Sequence, residues 1–246
     1  MPVSETLIIA VLFFGGAALY ASVGHAGASA YLAVMGLFNF APDVMKPTAL
    51  ALNILVAAVA TFKFYRAGLF SWQLFWPFAV VSVPAAFIGG ATMLPAYWYK
   101  VAVGIVLFYA AVWMFRTSLK PLRTAGHQPP LWAAMMAGLA LGFLSGLTGV
   151  GGGIFLSPLL LYMGWAETRA TSGVAAPFIL VNSIAGLLGH FSSVAQLPPN
   201  IPAWGVAVML GGWIGASYGS KRAPAPVLRQ LLALVLVVAS AKLILF

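Results

Sequence analysis

The chain has no cysteine, and only three acidic residues, Glu5, Asp43 and Glu167, among its 246. Without cysteine there is no disulfide framework, no thiolate nucleophile, and no iron–sulfur or Cys-zinc site. The three carboxylates fall near the ends of apolar runs, so none belongs to the middle of one. That argues against a proton or sodium relay of the Asp/Glu kind, against cation transport, and against a carboxylate-held metal or acid–base enzyme. Walker and HExxH patterns are also missing, which leaves neither an enzymatic constellation nor a cofactor-binding motif.

Charge of either sign is scarce. Asp, Glu, Lys and Arg make up 6% of the chain against 63% hydrophobic residues, with a mean hydropathy of +1.03. A water-soluble domain does not have that composition. Long apolar runs recur over the whole length, too long for barrel strands, and predict an all-α polytopic membrane protein. The first run, Leu7 to Ala21, is preceded by Glu5 and by no Lys or Arg; the first basic residue is Lys46. A signal peptide wants a positive leading region, so the run reads as a first membrane helix. The net charge of +9 resides in short loops beside apolar segments, where topology and lipid headgroups explain it better than nucleic acid does.

Ten helical segments are expected, near 5–22, 26–40, 45–65, 72–93, 97–116, 131–148, 152–164, 168–190, 203–220 and 226–245. The polar stretch 117–130, with Lys120, Pro121, Arg123, His127, Pro129 and Pro130, divides them five and five. The expected organisation is one membrane domain, with an N-terminal repeat 1–116, a linker 117–130 and a C-terminal repeat 131–246. The order of features recurs in the two halves. ASVGHAGASAYLAVMGLF from Ala21 parallels GLTGVGGGIFLSPLLLYMGW from Gly146, each a glycine-containing break, an apolar run and a Met-Gly pair. A pair of charges follows each, Asp43 with Lys46 and Glu167 with Arg169, and then PTALALN or TSGVAAP. VPAAFIGGA from Val83 lies opposite GGWIGASYGS from Gly211.

Five segments per repeat predicts halves of opposite orientation. With the N-terminus outside, Lys63, Arg66, Arg116, Lys120, Arg123, Arg169, Lys221, Arg222 and Arg229 face the cytoplasm, and Lys46, Lys100 and Lys242 lie outside. The positive-inside rule selects this orientation, with linker 117–130 cytoplasmic.

Glycine-interrupted helices at matching places in inverted repeats point to a transporter with its site between the halves. At each break a new helix begins with N–H groups that lack intrahelical partners, and in lipid each unsatisfied group costs several kcal/mol. The helix dipole makes an anion the preferred acceptor. Gly24, His25, Ala26 and Gly27 at the first break, and Gly149, Gly151, Gly152 and Gly153 at the second, are the expected anion-binding residues. Thr48 and Ser172, near the starts of the third and eighth segments, carry hydroxyls that could donate to the anion or cap their own helices. Asn53 and Asn182 lie deeper, as ligands or as interhelical hydrogen-bonding pairs. His25 could donate to the anion or carry a coupling proton, whereas His127 and His190 read as interfacial. Gly15, Gly16, Gly211 and Gly212 read as packing seams. Trp72, Trp76, Tyr97, Trp98, Tyr99, Trp132, Trp165 and Trp204 read as interfacial belts.

With GLTGVGGGIFLSPLLLYMG, its N-terminal copy ending YLAVMGLF, ATSGVAAPF and GGWIGASYGS in two similar halves, the whole chain resembles the sulfite exporter TauE/SafE family of bacterial membrane permeases. The N-terminal copy departs from the family pattern, with GHAGA in place of a glycine triplet and Ala33 where the proline equivalent to Pro158 would stand. The resemblance implies export of sulfite, organosulfonates or related sulfur oxyanions. The expected mechanism is alternating access, with small anionic substrates, lipid and no nucleic acid as partners; a homo-oligomer is compatible with this reading. An anion channel, or a non-transporting scaffold or assembly factor, are the alternatives.

Overall fold

The computed structural model describes residues 3–119, 127–191, 197–221 and 226–245. Ten helices follow one another: α1 (Val3–Ala21), α2 (Ala28–Leu37), α3 (Pro42–Arg66), α4 (Trp72–Ala91), α5 (Ala96–Leu119), α6 (Leu131–Thr148), α7 (Gly153–Tyr162), α8 (Thr168–Gly189), α9 (Ile201–Gly219) and α10 (Pro226–Leu245). No strand occurs among the described residues. The all-helical membrane architecture is therefore as the apolar runs indicate. Lys120, Pro121 and Arg123 of the linker, residues 192–196, and Arg222 lie outside the described residues.

Six helices, α1, α3, α4, α5, α6 and α8, are long and apolar enough to cross a membrane. Helices α2 and α7 differ from them. Each has 10 residues, about 15 Å at 1.5 Å per residue, against a hydrocarbon core of about 30 Å. Each is a half-helix that by itself covers about half of that thickness. Both start at a left-handed glycine, Gly27 and Gly152. Both also end alike: Phe40 N bonds Met35 O and Asn39 N bonds Gly36 O after α2, while Trp165 N bonds Leu160 O and Gly164 N bonds Leu161 O after α7. This is the Schellman closure, with Asn39 (φ 56°) and Gly164 (φ 67°) at its left-handed position. The two half-helices and their caps are thus related by a constant shift of 125 residues, and Asn39, not Gly36, is the counterpart of Gly164.

The long helices do not segregate by half. Helix α4 packs on α6 and α8, α9 packs on α1 and α3, and α5 pairs with α10. Advancing each first-half helix by five, and returning each second-half helix by five, turns the α4–α6 pair into α9–α1 and α4–α8 into α9–α3. Small residues make both close pairings. Gly138, Gly142 and Gly146 of α6 lie against the main chain of Phe78, Ser82 and Ala86 on α4; Gly211, Gly215 and Gly219 of α9 lie against Phe14, Ala18 and Ser22. A glycine every four residues forms one stripe along a helix, and without side chains the two backbones can touch. The buried apolar residues divide accordingly. One cluster joins α4, α6, α7 and α8 around Phe78, Leu156, Leu160 and Phe178. The larger one is centred on α1, α2, α3, α5 and α9.

Two belt assignments are corrected. Trp72, Trp98 and Trp132 are exposed, but Trp204 and Tyr99 are buried. Trp204 stacks edge-on against Phe13 at 5.4 Å and donates its indole N–H to Thr6 O at 3.3 Å. Tyr99 donates its hydroxyl to Thr148 O at 3.1 Å. A ring with one polar atom is satisfied equally by a headgroup or by a single buried carbonyl, so position at a segment edge does not separate the two.

Candidate functional site

The two breaks are built alike. At the first, His25 N bonds Tyr20 O at 3.0 Å to close α1, and Gly24 (φ 77°) and Gly27 (φ 105°) turn the chain into α2. At the second, Gly149 N bonds Ser145 O at 2.9 Å to close α6, and Gly149 (φ 83°), Gly151 (φ 84°) and Gly152 (φ 80°) turn it into α7. Neither Gly27 nor Gly152 offers a side-chain cap to its helix. Phe155 N of α7 bonds Gly152 O at 3.1 Å, and the other first-turn N–H groups, beyond the reach of intrahelical acceptors, are left without side-chain capping within buried protein.

Each break is packed by the long helix of the other half. A Cβ on Gly24 would strike Ser172 of α8, and Ser172 donates its hydroxyl to Val23 O at 2.9 Å as well as to Thr168 O at 3.1 Å. A Cβ on Gly149 would stand 3.2 Å from Lys46 O of α3. Asn53, also on α3, donates its amide to Val150 O at 3.1 Å. The breaks also meet each other. His25 Nε2 lies 2.8 Å from Ser157 Oγ on α7, and a Cβ on Gly153 would stand 3.5 Å from His25 Cδ2. The start of α7 and the first break therefore share one buried region.

All twelve expected site residues are buried. Gly24, His25, Ala26, Gly27, Gly149, Gly151, Gly152 and Gly153 form the breaks themselves, and Asn53 and Ser172 are bonded to them. Tyr31 donates its hydroxyl to Ala26 O at 2.7 Å and so holds the turn before α2. Thr48 is fully buried with no partner for Oγ1. Asn182 bonds back to Phe178 O at 2.8 Å in its own helix, with Oδ1 unpartnered.

Three serines complete the region that sequence reasoning passed over. Ser157 meets His25. Ser183 Oγ stands 3.0 Å from a Cβ placed on Gly151, beside Asn53 Nδ2 at 2.6 Å, and Ser145 Oγ stands 3.5 Å from one placed on Gly152. The Ser145 and Ser183 hydroxyls have no partner. A buried donor left unsatisfied costs about 1–3 kcal/mol, and both of these hydroxyls stand at the uncapped start of α7, free to donate to an acceptor there. Ser157 and Ser183 carried one available signal, adjacency to Pro158 and Asn182, which the residues alone did not rank above the other serines of the chain.

Basic residues close helix ends around this region. Lys46, expected in a loop, is buried within α3 and donates from Nζ to Gly89 O (3.3 Å), Gly90 O (2.8 Å) and Thr92 O (3.2 Å) at the C-terminus of α4. Arg169 of α8 donates to Ser220 O, the C-cap of α9, at 2.9 Å, and Lys242 to Leu37 O, the last residue of α2, at 2.7 Å. A cation at a helix C-terminus complements the dipole, which places Lys46 without a carboxylate. His190, expected at the interface, is buried at the end of α8 and donates from Nδ1 to Gly90 O at 3.2 Å. Burial, and then the neighbouring Lys46 charge, lower its pKa from the usual histidine range.

The sequence model of the family described as sulfite exporter TauE/SafE matches residues 8–243. The chain is 41% identical over 244 residues, covering 98% of itself and 99% of the relative, to y4hK of Sinorhizobium fredii, described as a probable membrane transporter protein. It is 23% identical over 158 residues, covering 62% of itself and 58% of the relative, to MJ0441 of Methanocaldococcus jannaschii, described in the same words. No solved structure matches the chain.

Proposed function

The chain belongs to the sulfite exporter TauE/SafE family of membrane transporters, and from that premise we propose that it exports sulfite, an organosulfonate or a related sulfur oxyanion across the bacterial inner membrane. The anion is held between the two breaks, by the first-turn amides of α2 and α7 together with the hydroxyls of Ser145 and Ser183. The observation that carries this reading is the pair of buried, partnerless serine hydroxyls beside an uncapped half-helix. Amides at a helix N-terminus and serine hydroxyls are donors, and a compact oxyanion accepts from several at once. Neither break itself contains a Lys or Arg, so its own donors are amides and hydroxyls that carry no full counter-charge.

Alternating access then requires two bodies that move about the site. We assign them to the exchanged bundles, α1, α2, α3 and α9 on one side and α4, α6, α7 and α8 on the other, since the glycine seams make each bundle close-packed. The halves stand inverted, with the N-terminus outside and the linker cytoplasmic. A cytoplasm-negative potential supplies about 2.3 kcal/mol per charge per 100 mV for an anion moving outward, enough to drive export of a dianion without ion coupling.

Flux of radiolabelled sulfite or sulfoacetate from liposomes of set potential tests the proposal. Saturable efflux that grows with interior-negative potential is the expected result. Linear, non-saturating flux identifies a channel, and absence of flux for both anions overturns the assignment.

A further inference from the structure

Lys46 and His190 come from different halves of the chain and donate to one oxygen, the Gly90 carbonyl, at 2.8 and 3.2 Å. Their heads are therefore neighbours, and they differ in kind. Lys46 Nζ is an ammonium with three protons, turned only onto main-chain carbonyls. His190 spends its Nδ1 proton on Gly90 O, because a carbonyl can only accept, so its neutral ring presents a bare lone pair at Nε2. That nitrogen is buried and has no partner. Asp43, the acid that acts electrostatically on His190, is exposed in the first turn of α3. The pair is joined to the second break, since Gly149 would place a Cβ 3.4 Å from Lys46 Cα and Cγ.

We propose that Lys46 and His190 form a two-point subsite, next to the second break, that selects oxyanions carrying a hydrogen-bond donor of their own. The reading rests on the oxyanion transport proposed above. The anionic oxygen takes one Lys46 proton in exchange for an α4 carbonyl, while the ligand's O–H or N–H donates to His190 Nε2. Hydrogen sulfite and hydroxyl-bearing sulfonates have both groups. Sulfate and simple alkylsulfonates have only the first, and leave the Nε2 lone pair unmet, the kind of mismatch by which a polar site rejects an analogue.

The test pair is 2-hydroxyethanesulfonate and ethanesulfonate, which differ by one hydroxyl and carry the same charge at any pH where histidine titrates. Binding to the purified full-length protein is measured by calorimetry, with competition for sulfite flux in liposomes as the second measurement. Wild type is expected to prefer the hydroxylated anion by about tenfold, the discrimination of one hydrogen bond in a buried site. His190→Phe removes that preference while the affinity for ethanesulfonate stays within about twofold. Lys46→Met weakens both anions, and Lys46→Arg, which keeps the charge and the cap on α4, restores most of the affinity. Equal affinities in wild type, or a preference that survives His190→Phe, overturn the subsite and leave the transport reading standing if sulfite flux persists. Absence of binding and flux for every anion overturns both.

Discussion

His25 Nε2 in the first break and Ser157 Oγ on the second half-helix, 132 residues apart in the chain, stand 2.8 Å from each other. The link ties the first break to α7, where the start of α7 approaches the first turn. Replacing Ser157 with alanine removes one buried hydrogen bond, worth about 1 kcal/mol, without leaving a bulky intruder. The expected outcome is a protein that still folds, with kcat/KM for sulfite efflux reduced about fivefold. Ser157→Thr, which keeps the hydroxyl, recovers most of it. Unchanged efflux in Ser157→Ala places the link outside the transport cycle.

Glycines that look alike in the sequence separate into three kinds, and an alanine series resolves them. Gly24 has φ 77°, and its Cβ would overlap the main chain of Ser172, so Gly24→Ala adds a clash to a left-handed cost of about 1–3 kcal/mol. Gly68 has φ 71° with nothing within 4 Å, so Gly68→Ala loses only about 1–2 kcal/mol. Gly15 lies inside α1 with open space around it, and Gly15→Ala gains about 0.5–1 kcal/mol of helix stability. Melting temperatures in detergent should rank Gly15→Ala above wild type, Gly68→Ala below it and Gly24→Ala lowest. Gly24→Ala melting with Gly68→Ala would remove the close packing of α8 on the first break.

The number of helices and the places of both breaks were legible in the sequence because long apolar runs and clustered glycine report directly on bilayer thickness and on left-handed turns. Helix partnership was not. These helices are apolar on every side, so they carry no amphipathic stripe to say which face meets which neighbour. The exchange of α4 and α9 between bundles is written only in glycine stripes such as 138, 142 and 146, and these name a close contact without naming its partner. Lys46 shows the same limit. As a charge it counts toward topology, yet its position is set by the three carbonyls ending α4, a relation 43 to 46 residues away. Thr48 and Ser172 looked equivalent by local pattern, but the 125-residue shift sets Thr48 opposite Gly173, one position past Ser172, and one position turns a side chain by about 100° around a helix; Ser172 bonds the first break while Thr48 Oγ1 has no partner.

The absence of cysteine makes the proposed orientation directly measurable. Single cysteines introduced at exposed turn positions can be labelled with a membrane-impermeant maleimide in intact cells. Met93→Cys, between α4 and α5, is expected to react before permeabilisation. Ala67→Cys after α3 and His127→Cys before α6 are expected to react only afterwards. The positive-inside bias of Lys63, Arg66 and Arg116 sets this prediction. Labelling of Ala67→Cys and Met93→Cys from the same side would require α4 not to cross the membrane, and would remove the inverted arrangement with it.

Acid sensitivity should be traceable to His190. Its folded pKa lies below the ordinary histidine value because burial, and then Lys46, disfavour the charged ring. The unfolded chain therefore holds more protons at this position than the folded one whenever the pH lies below about 6.5 and above the folded value. Stability rises with pH across that window, so acidification destabilises the protein, and the loss stops growing once the folded ring is itself protonated. The chain has two other histidines, His25 and His127, so the quantity to measure is the difference between wild type and His190→Gln. Glutamine keeps a donor for Gly90 O without a titrating ring. Wild type should lose apparent melting temperature relative to His190→Gln as the pH is lowered from about 7.5 to about 5.5. Parallel curves would mean that the imidazole is not buried beside Lys46, and the shared hold of the two residues on Gly90 would fall with that result.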